Sequence, residues 1–307
     1  MSSPRNTSET ISSYLFLAPF LLFFAMFLIY PIFYSLYLSF YDTPTDYTLS
    51  NLKWVGLNNY VTIIFSDKKF WWSLLVVGVY GGLSIPLGIG ASLALALLLN
   101  NKLFGKNFFR SAFFLPNILD MLVVGIIWTL IYAPEFGALA QFSKYFIGET
   151  DLLFKSGLLA KPLTALPAVV IAMVIKGAGF GMVLFLAALQ NIPDSVYEAA
   201  DIDGATQWQQ FWLITLPLLR PILFFMVITG VIGSLNAFTE IYAMTAGGPQ
   251  TVVGGETLGS TTVAGYYLYK QFEAGRYGYA AAISYILLII TLLITFIQQK
   301  FFPSENH

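Results

Sequence analysis

The chain of 307 residues contains no cysteine, and its one histidine, His307, is the last residue. Disulfides and most zinc, haem and iron–sulfur centres are thereby excluded, because they need cysteine or histidine ligands. Charged residues are also scarce, at 10% of the sequence, and they sum to a net charge of −1. A nucleic-acid-binding protein needs a basic face, so the sequence argues against a nucleic-acid partner.

Apolar residues are abundant: 57% of the chain is hydrophobic and the mean hydropathy is +0.74. A soluble domain of this size cannot hide so much apolar surface, which indicates that membrane lipid is the solvent. The run from Thr10 to Tyr41 contains no charged residue. It is too long for the core of a signal peptide and no small-residue cleavage pattern closes it, so we expect it to remain as a membrane helix.

Six segments approach the length of about 20 apolar residues that a membrane-spanning helix needs. They cover residues 14–40, 74–99, 112–133, 164–190, 218–240 and 278–299. We predict an all-α integral membrane protein with one transmembrane domain over 14–300 and short tails at 1–13 and 301–307. Six spans put both termini on one side of the membrane. The cations Lys102, Lys106 and Arg110, between spans two and three, favour the cytoplasm for that side.

The segment between spans four and five, residues 191–217, is unusually acidic for this chain. Asp194, Glu198, Asp201 and Asp203 are a quarter of its 16 acidic residues. Asp194 and Glu198 are four residues apart, which places them on the same side of a helix. The concentration of acids between two apolar segments predicts a folded element at the membrane surface.

The same segment contains start and stop signals for two short helices. Pro193 suits a first helical position, and Gly204 suits a C-terminal cap with positive φ. Thr206 and Gln209 have the spacing of a capping box for a second helix. An apolar stripe at i, i+3 and i+4 is formed by Trp208, Phe211 and Trp212. Spacing alone leaves two interpretations open: an interfacial connector with solvated acids, or a docking element for another protein.

A resemblance favours the second interpretation. Glu198-Ala199-Ala200, Gly204, Ile214 and Leu216-Pro217 stand at the spacing of the EAA signature. That signature is typical of binding-protein-dependent ABC transporter permeases. The stretches FRSAFFLPNILDMLVVGIIW (109–128) and TAGGPQ (245–250) resemble the carbohydrate-uptake branch, which is similar to the maltose transporter permeases. The branch commonly carries a tryptophan before the position of Lys176, and VIKGAGFGM lacks it.

The resemblance implies that residues 191–217 form a cytoplasmic coupling helix, which sits in a cleft of an ATPase subunit. The implied coupling residues are Glu198, Ala199, Ala200, Asp201, Asp203, Gly204, Ile214, Leu216 and Pro217. It further implies two cytoplasmic ATPase subunits, a second and usually different permease, and an external solute-binding protein. The expected location is the prokaryotic inner membrane, and the expected mechanism is alternating access for a sugar or oligosaccharide.

The chain is not expected to be an enzyme. ATP hydrolysis needs a glycine-rich loop that ends in Lys-Ser or Lys-Thr. The one such pair, Lys155-Ser156, follows DLLF, which cannot cradle phosphates. We therefore expect no cofactor on this chain, with ATP and Mg bound by partner subunits.

Ionisable residues inside spans are functional candidates, because a charge in hydrocarbon is costly. Lys176 lies in span four and Asp120 in span three. One hypothesis pairs the two; the alternative is that the Lys176 ammonium reaches a backbone carbonyl or water. We include both residues in the predicted substrate path.

Span five supplies the other candidates for the substrate path. Asn236, Thr239 and Glu240 recur at helical spacing and are predicted to share one face, with Tyr242 near them. Amide and carboxylate groups next to aromatic rings suit a sugar, and Asn236 is the first candidate for a solute contact. The alternative role for these residues is a polar contact between helices.

Three further functions stay open at this point. An ion-gradient transporter would use Asp120, Lys176 and Glu240 as a relay. A membrane-embedded transferase would need a catalytic acid, and a metal site would need Glu198, Asp201 and Asp203 together. The solute of an importer is equally open to a polyol or glycerol phosphate.

Overall fold

The structure, a computed structural model, describes residues 7–43, 52–101, 104–146 and 157–301. Of the features predicted from the sequence, Lys102, the pair Lys155-Ser156 and the tail from residue 302 onwards lie outside these ranges. The described chain is mostly helical, as predicted, but it also contains two short β-hairpins, which the predicted all-α class did not include.

The described residues form α-helices of very different lengths, with short π-helical and 3₁₀ turns between some of them. They are α1 (Thr7–Phe24), a π-helical turn (Ala25–Ile29), α2 (Tyr30–Leu38), α3 (Asn58–Phe65), α4 (Lys68–Asn100), α5 (Lys106–Ile118), α6 (Met121–Ile131), α7 (Ala138–Phe146), a 3₁₀ turn (Leu158–Ala160), α8 (Pro162–Gln190), α9 (Asp194–Ile202), α10 (Gln207–Gln210), a π-helical turn (Phe211–Thr215), α11 (Leu216–Leu218), α12 (Arg220–Leu235), α13 (Thr239–Met244), α14 (Ala264–Glu273) and α15 (Tyr277–Phe301). Helix α1 begins inside the segment that was predicted to be a tail.

Four strands form the two antiparallel hairpins. Strand β1 (Tyr41–Asp42) pairs with β2 (Lys53–Trp54), and β3 (Gln250–Val253) pairs with β4 (Glu256–Gly259). Gly254 and Gly255 connect β3 to β4, both with positive φ, as a two-residue hairpin turn requires.

The chain divides into two compact units: residues up to Asp67 with Leu268–Leu288, and Lys68–Tyr267 with the residues from Ile289 on. In the first unit, the buried side-chain amide of Asn59 donates to the carbonyl oxygens of Ser39 (2.9 Å) and Tyr41 (3.0 Å). These carbonyls follow the end of α2 and have no partner within that helix, so Asn59 satisfies the helix end. From Tyr14 onwards, the apolar side chains of α1 and α2 are mostly exposed, as expected where lipid is the solvent.

The core of the second unit lies between α4 and α8. Small residues allow the two helices to approach closely: a Cβ on Gly181 would lie 2.3 Å from the hydroxyl oxygen of Ser92. Apolar residues fill the interface beyond that point: Ala96, Leu99, Met182, Phe185, Leu186, Leu189 and Leu219. This pair of helices is the framework on which the candidate sites are built.

Within the described residues, four helical segments are long and apolar enough to cross a membrane without a sharp break, and two bent helix pairs would raise the number of spans to six. The bent pairs are α5–α6, at 102°, and α10–α11 with α12, at 63°. The predicted third span, residues 112–133, thus corresponds to a bent pair of helices rather than to one straight helix. Helical geometry is interrupted at Leu119. Asp120 then caps the N-terminus of α6 by accepting a hydrogen bond from the Leu122 backbone nitrogen at 2.8 Å.

The fifth span also ends earlier than predicted. Helix α12 stops at Leu235, and the Asn236 side-chain nitrogen donates to the carbonyl oxygen of Ile232 at 2.8 Å. The chain then leaves helical geometry until α13 begins at Thr239. Gly265 on α14 lies against this break, and a Cβ there would be 2.6 Å from the Ala237 carbonyl oxygen.

Candidate functional site

The acidic segment folds as the sequence predicts, with a capped helix followed by a tight turn. At the end of α9, the backbone nitrogen of Ala205 donates to the Ala200 carbonyl oxygen at 2.9 Å, and that of Gly204 donates to the Asp201 carbonyl oxygen at 3.1 Å. This pair of bonds is a Schellman motif, and Gly204 has the φ of +75° that the motif needs. Pro193 was predicted to be the first helical residue, whereas in the structure it is the N-cap and the helix begins at Asp194.

The second half of the segment is fixed in the same way. The predicted capping box is present: the Thr206 hydroxyl oxygen accepts from the Gln209 backbone nitrogen at 3.3 Å, and the Thr206 backbone nitrogen donates to the Gln209 side chain at 2.8 Å. The Gln210 side-chain nitrogen donates to the Asp201 carboxylate at 2.6 Å, which joins the two short helices. The aromatic rings of Trp208, Phe211 and Trp212 contact one another, with centroids 5.4–6.1 Å apart.

The residues of the EAA-like signature separate into a surface part and an internal part. The exposed members are Glu198, Ala199, Asp201, Asp203 and Gly204. Ala200 is buried, with 8% of its surface exposed, while Ile214, Leu216 and Pro217 are half-buried. The Tyr197 hydroxyl and the Thr215 hydroxyl are 2.9 Å apart, so α9 is held against the following chain. Among the described residues, no group of three or more acidic or histidine side chains is placed to hold a metal ion.

Gly204→Ala tests whether the turn is needed. A Cβ at a φ of +75° is strained even though nothing else lies within 4 Å of it. We expect the substitution to destabilise the segment by about 1 kcal/mol. Amide hydrogen exchange of residues 194–210 would rise, whereas Ser195→Ala, at an exposed helical position, would leave it unchanged. Equal protection in both variants would show that the turn does not depend on glycine.

The second candidate site is a cavity of about 480 Å³ in the Lys68–Tyr267 unit. Its wall comes from α4, α5, α6, α8, α12 and α13. The polar members of the wall are Tyr80, Ser84, Ser92, Asn117, Lys176, Thr229, Ser234 and Glu240. The cavity falls in the size range of sites for small molecules and combines many apolar atoms with a few polar groups, which is typical of such sites.

Glu240 is the buried acid of this cavity. Only 6% of its surface is exposed, and its carboxylate accepts a hydrogen bond from the Tyr80 hydroxyl at 3.0 Å. Tyr80 lies on α4 and Glu240 lies in the first turn of α13, so the bond joins the break after α12 to the central helix. A carboxylate retains further acceptor capacity after one such bond, which suits it to a hydroxyl-bearing ligand.

Lys176 reaches the cavity from α8. Its ammonium donates to the backbone carbonyl oxygen of Asn117 at 3.4 Å, near the C-terminus of α5. A cation is stabilised at that end of a helix by the helix dipole and by the free carbonyls. Of the two interpretations of Lys176, the structure shows the backbone carbonyl partner, while the Asp120 carboxylate caps α6 instead.

The other predicted path residues are not brought together. Asn236, Thr239, Tyr242 and Asp120 do not line this cavity. The interruption of the helix at residues 236–238 removes the common helical face that was predicted for Asn236, Thr239 and Glu240. Tyr242 is exposed and its ring is 5.6 Å from that of Phe238, which in turn stacks on the Tyr266 ring at 6.4 Å.

Sequence reasoning missed the contribution of α4, which it treated as a purely apolar span. Tyr80, Ser84, Gly88 and Ser92 all line the cavity. They recur at intervals of four, so they share one helical face. This stripe of small and hydroxyl side chains in an apolar run was a usable signal.

Comparison with known proteins identifies the family. Residues 84–305 match the model of the binding-protein-dependent transport system inner membrane component. The probable ABC transporter permease protein YesP of Bacillus subtilis (strain 168) is 34% identical over 295 residues, which cover 95% of this chain and 90% of that protein. The trehalose/maltose transport system permease protein MalF of Thermococcus litoralis is 34% identical over 246 residues, covering 80% of this chain and 79% of that protein.

A solved structure supports the same fold. The chain is similar to one in the crystal structure of a bacterial ABC transporter involved in the import of the acidic polysaccharide alginate, with a TM-score of 0.76 at 22% identity and 96% of each chain covered. The fold and the sequence comparisons agree with the resemblance carried by the EAA-like signature. The chain belongs to the binding-protein-dependent transport system inner membrane component family, in its carbohydrate-uptake branch.

Proposed function

We propose that this chain is a membrane-spanning subunit of an ATP-driven importer for a sugar or oligosaccharide. The observation that carries the proposal is the acid-bearing helix α9, capped at its end and set between two apolar segments. The complex has two cytoplasmic ATPase subunits, a second permease that is a different chain, and an external solute-binding protein. It lies in a prokaryotic inner membrane with both termini and residues 191–217 in the cytoplasm.

The mechanism is alternating access driven by the partners. ATP closes the two ATPase subunits and moves the docked α9 helices towards each other. This motion rocks the membrane helices from an inward-open to an outward-open state, and hydrolysis resets them. ATP, bound by the partner subunits, drives the cycle because it has different affinities for the two states.

The solute path of the proposal passes through the cavity on α4 and α8. The hydroxyls of Tyr80, Ser84 and Thr229 and the Glu240 carboxylate offer donors and acceptors to a polyhydroxylated solute. The name of the MalF relative refers to trehalose and maltose, and that of the solved transporter to alginate. A polyol or glycerol phosphate is the alternative solute, and Lys176 is the cation in the cavity wall that would favour the phosphate.

A cysteine cross-link tests the docking of α9. Ser195 is exposed and the native chain has no cysteine, so Ser195→Cys gives a clean probe. We expect it to form a disulfide with a cysteine placed in the cleft of the ATPase subunit, at a yield that changes with ATP. Ala200→Cys is the matched control on the same helix, and we expect little cross-linking because that side chain is buried.

The opposite outcome is equally informative. If Ser195→Cys gives no cross-link in a complex shown to be assembled, the acidic segment is an interfacial connector. The ion-gradient transporter would then be the better hypothesis, and solute uptake without ATP would be the next measurement.

A further inference from the structure

Ile202, the last residue of α9, has an unusual position. It is 87% exposed although it is a large aliphatic residue. Ser195, Glu198 and Ala199 precede it by seven, four and three residues, so all four lie on one face of the helix. Each of the other three is exposed as well, while Tyr197 and Ala200 on the opposite face are turned towards the protein. The outward face of α9 therefore has an aliphatic end next to a carboxylate.

The bilayer interior is a poor environment for this side chain. Its neighbours Asp201 and Asp203 are both exposed, and a carboxylate in hydrocarbon is costly. Ile202 cannot insert deeply into lipid without carrying these acids with it. A protein surface covers the isoleucine without that cost, provided that the acids stay at the edge of the contact.

The charge of the segment specifies what such a surface must carry. Between Lys176 and Arg220 the sequence has no lysine, arginine or histidine, whereas it has four carboxylates. The acids surround the Ile202 face without a cation of their own chain in this segment. Charge complementarity therefore calls for a partner surface with a basic rim.

From these observations we infer that Ile202 is the apolar anchor of the contact between α9 and the ATPase subunit, seated in an apolar socket whose rim carries lysine or arginine. The inference rests on the proposed function and adds the residue that holds the contact together. Interfaces of this kind are held by a few central side chains enclosed by polar groups. The Schellman motif and the capping box fix the helix before binding, so little conformational freedom is lost when the contact forms.

The test is a binding measurement with the intact pair of permeases in nanodiscs and the purified ATPase subunit. We expect Ile202→Ala to weaken the affinity about tenfold or more, because a buried aliphatic side chain is lost. Ile202→Leu keeps the apolar volume and should restore most of the affinity. Val196→Ala is the matched control: Val196 is on the same helix but points about 120° away from Ile202, and we expect a change of less than about twofold. Added salt should weaken the native contact.

Failure of this inference is distinguishable from failure of the proposed function. Native affinity in Ile202→Ala, together with a Ser195→Cys cross-link, overturns the anchor and leaves docking intact. Absence of the Ser195→Cys cross-link in an assembled complex that keeps Ile202 overturns docking itself. Equal losses in Ile202→Ala and Val196→Ala also overturn the anchor, because they indicate general damage to α9. Trp208 fluorescence, measured in each variant, reports whether the segment keeps its fold.

Discussion

Gly179→Ala is expected to destabilise the folded permease, although it adds only one methyl group. A Cβ on Gly179 would lie 2.0 Å from the carbonyl oxygen of Phe113 and 2.8 Å from the Cα of Phe114. Both are backbone atoms of α5, so no side-chain rotation relieves the clash and the two helices must separate. Overpacking of this kind costs about 1–3 kcal/mol or more. In detergent, the apparent melting temperature should fall by roughly 5–10 °C.

The control lies two residues away on the same helix. Gly177 has nothing within 4 Å of a Cβ position, and alanine is the better helix former. Gly177→Ala should therefore melt at the native temperature or slightly above it. Size-exclusion chromatography of both variants at increasing temperature makes the comparison. If Gly179→Ala were as stable as Gly177→Ala, the close approach of α8 to α5 would be incorrect.

Local rules were sufficient for the acidic segment. Gly204 as a C-cap and Thr206 with Gln209 as a capping box were predicted from letters within a few residues of each other, and both are present. Such motifs are predictable because the partners are close in sequence and the backbone groups to be satisfied are known. The same argument could have recognised Asp120 as an N-cap, since it directly precedes an apolar run.

Contacts between residues distant in sequence determine two features that the sequence analysis did not predict. No proline or glycine stands at residues 236–238, where the helix is interrupted, and periodicity alone continues the helix through Asn236 to Glu240. The break is accommodated by Gly265, which is distant in sequence and comes close to Ala237. The partner of Lys176 was similarly beyond reach, because it depends on where α5 ends relative to α8. Residue spacing describes one helix at a time and cannot supply these contacts.

The hydrogen bond from Tyr80 to Glu240 is the feature that suits the cavity to bind a solute. A buried carboxylate with one hydrogen bond is stabilised at that bond and free to accept another from a solute. The bond also connects α4, whose Ser84 and Ser92 hydroxyls line the cavity, to α13, which follows the interruption at residues 236–238. A change at Glu240 therefore affects both the chemistry of the cavity and the geometry of its wall, and the two effects can be separated by choice of substitution.

Glu240→Ala should reduce solute uptake by about 10–100-fold in proteoliposomes that contain the whole complex, because a site built to bind a hydroxyl loses about 1–3 kcal/mol when its partner group is missing. Glu240→Gln keeps an acceptor oxygen and should retain most of the uptake, and Tyr80→Phe should fall between the two. Co-purification of the ATPase subunits checks that each variant assembles. Native uptake by an assembled Glu240→Ala complex would remove the cavity from the solute path. If Glu240→Ala fails to assemble, Tyr80→Phe decides the matter, since it keeps the ring and removes only the hydroxyl that fixes the carboxylate.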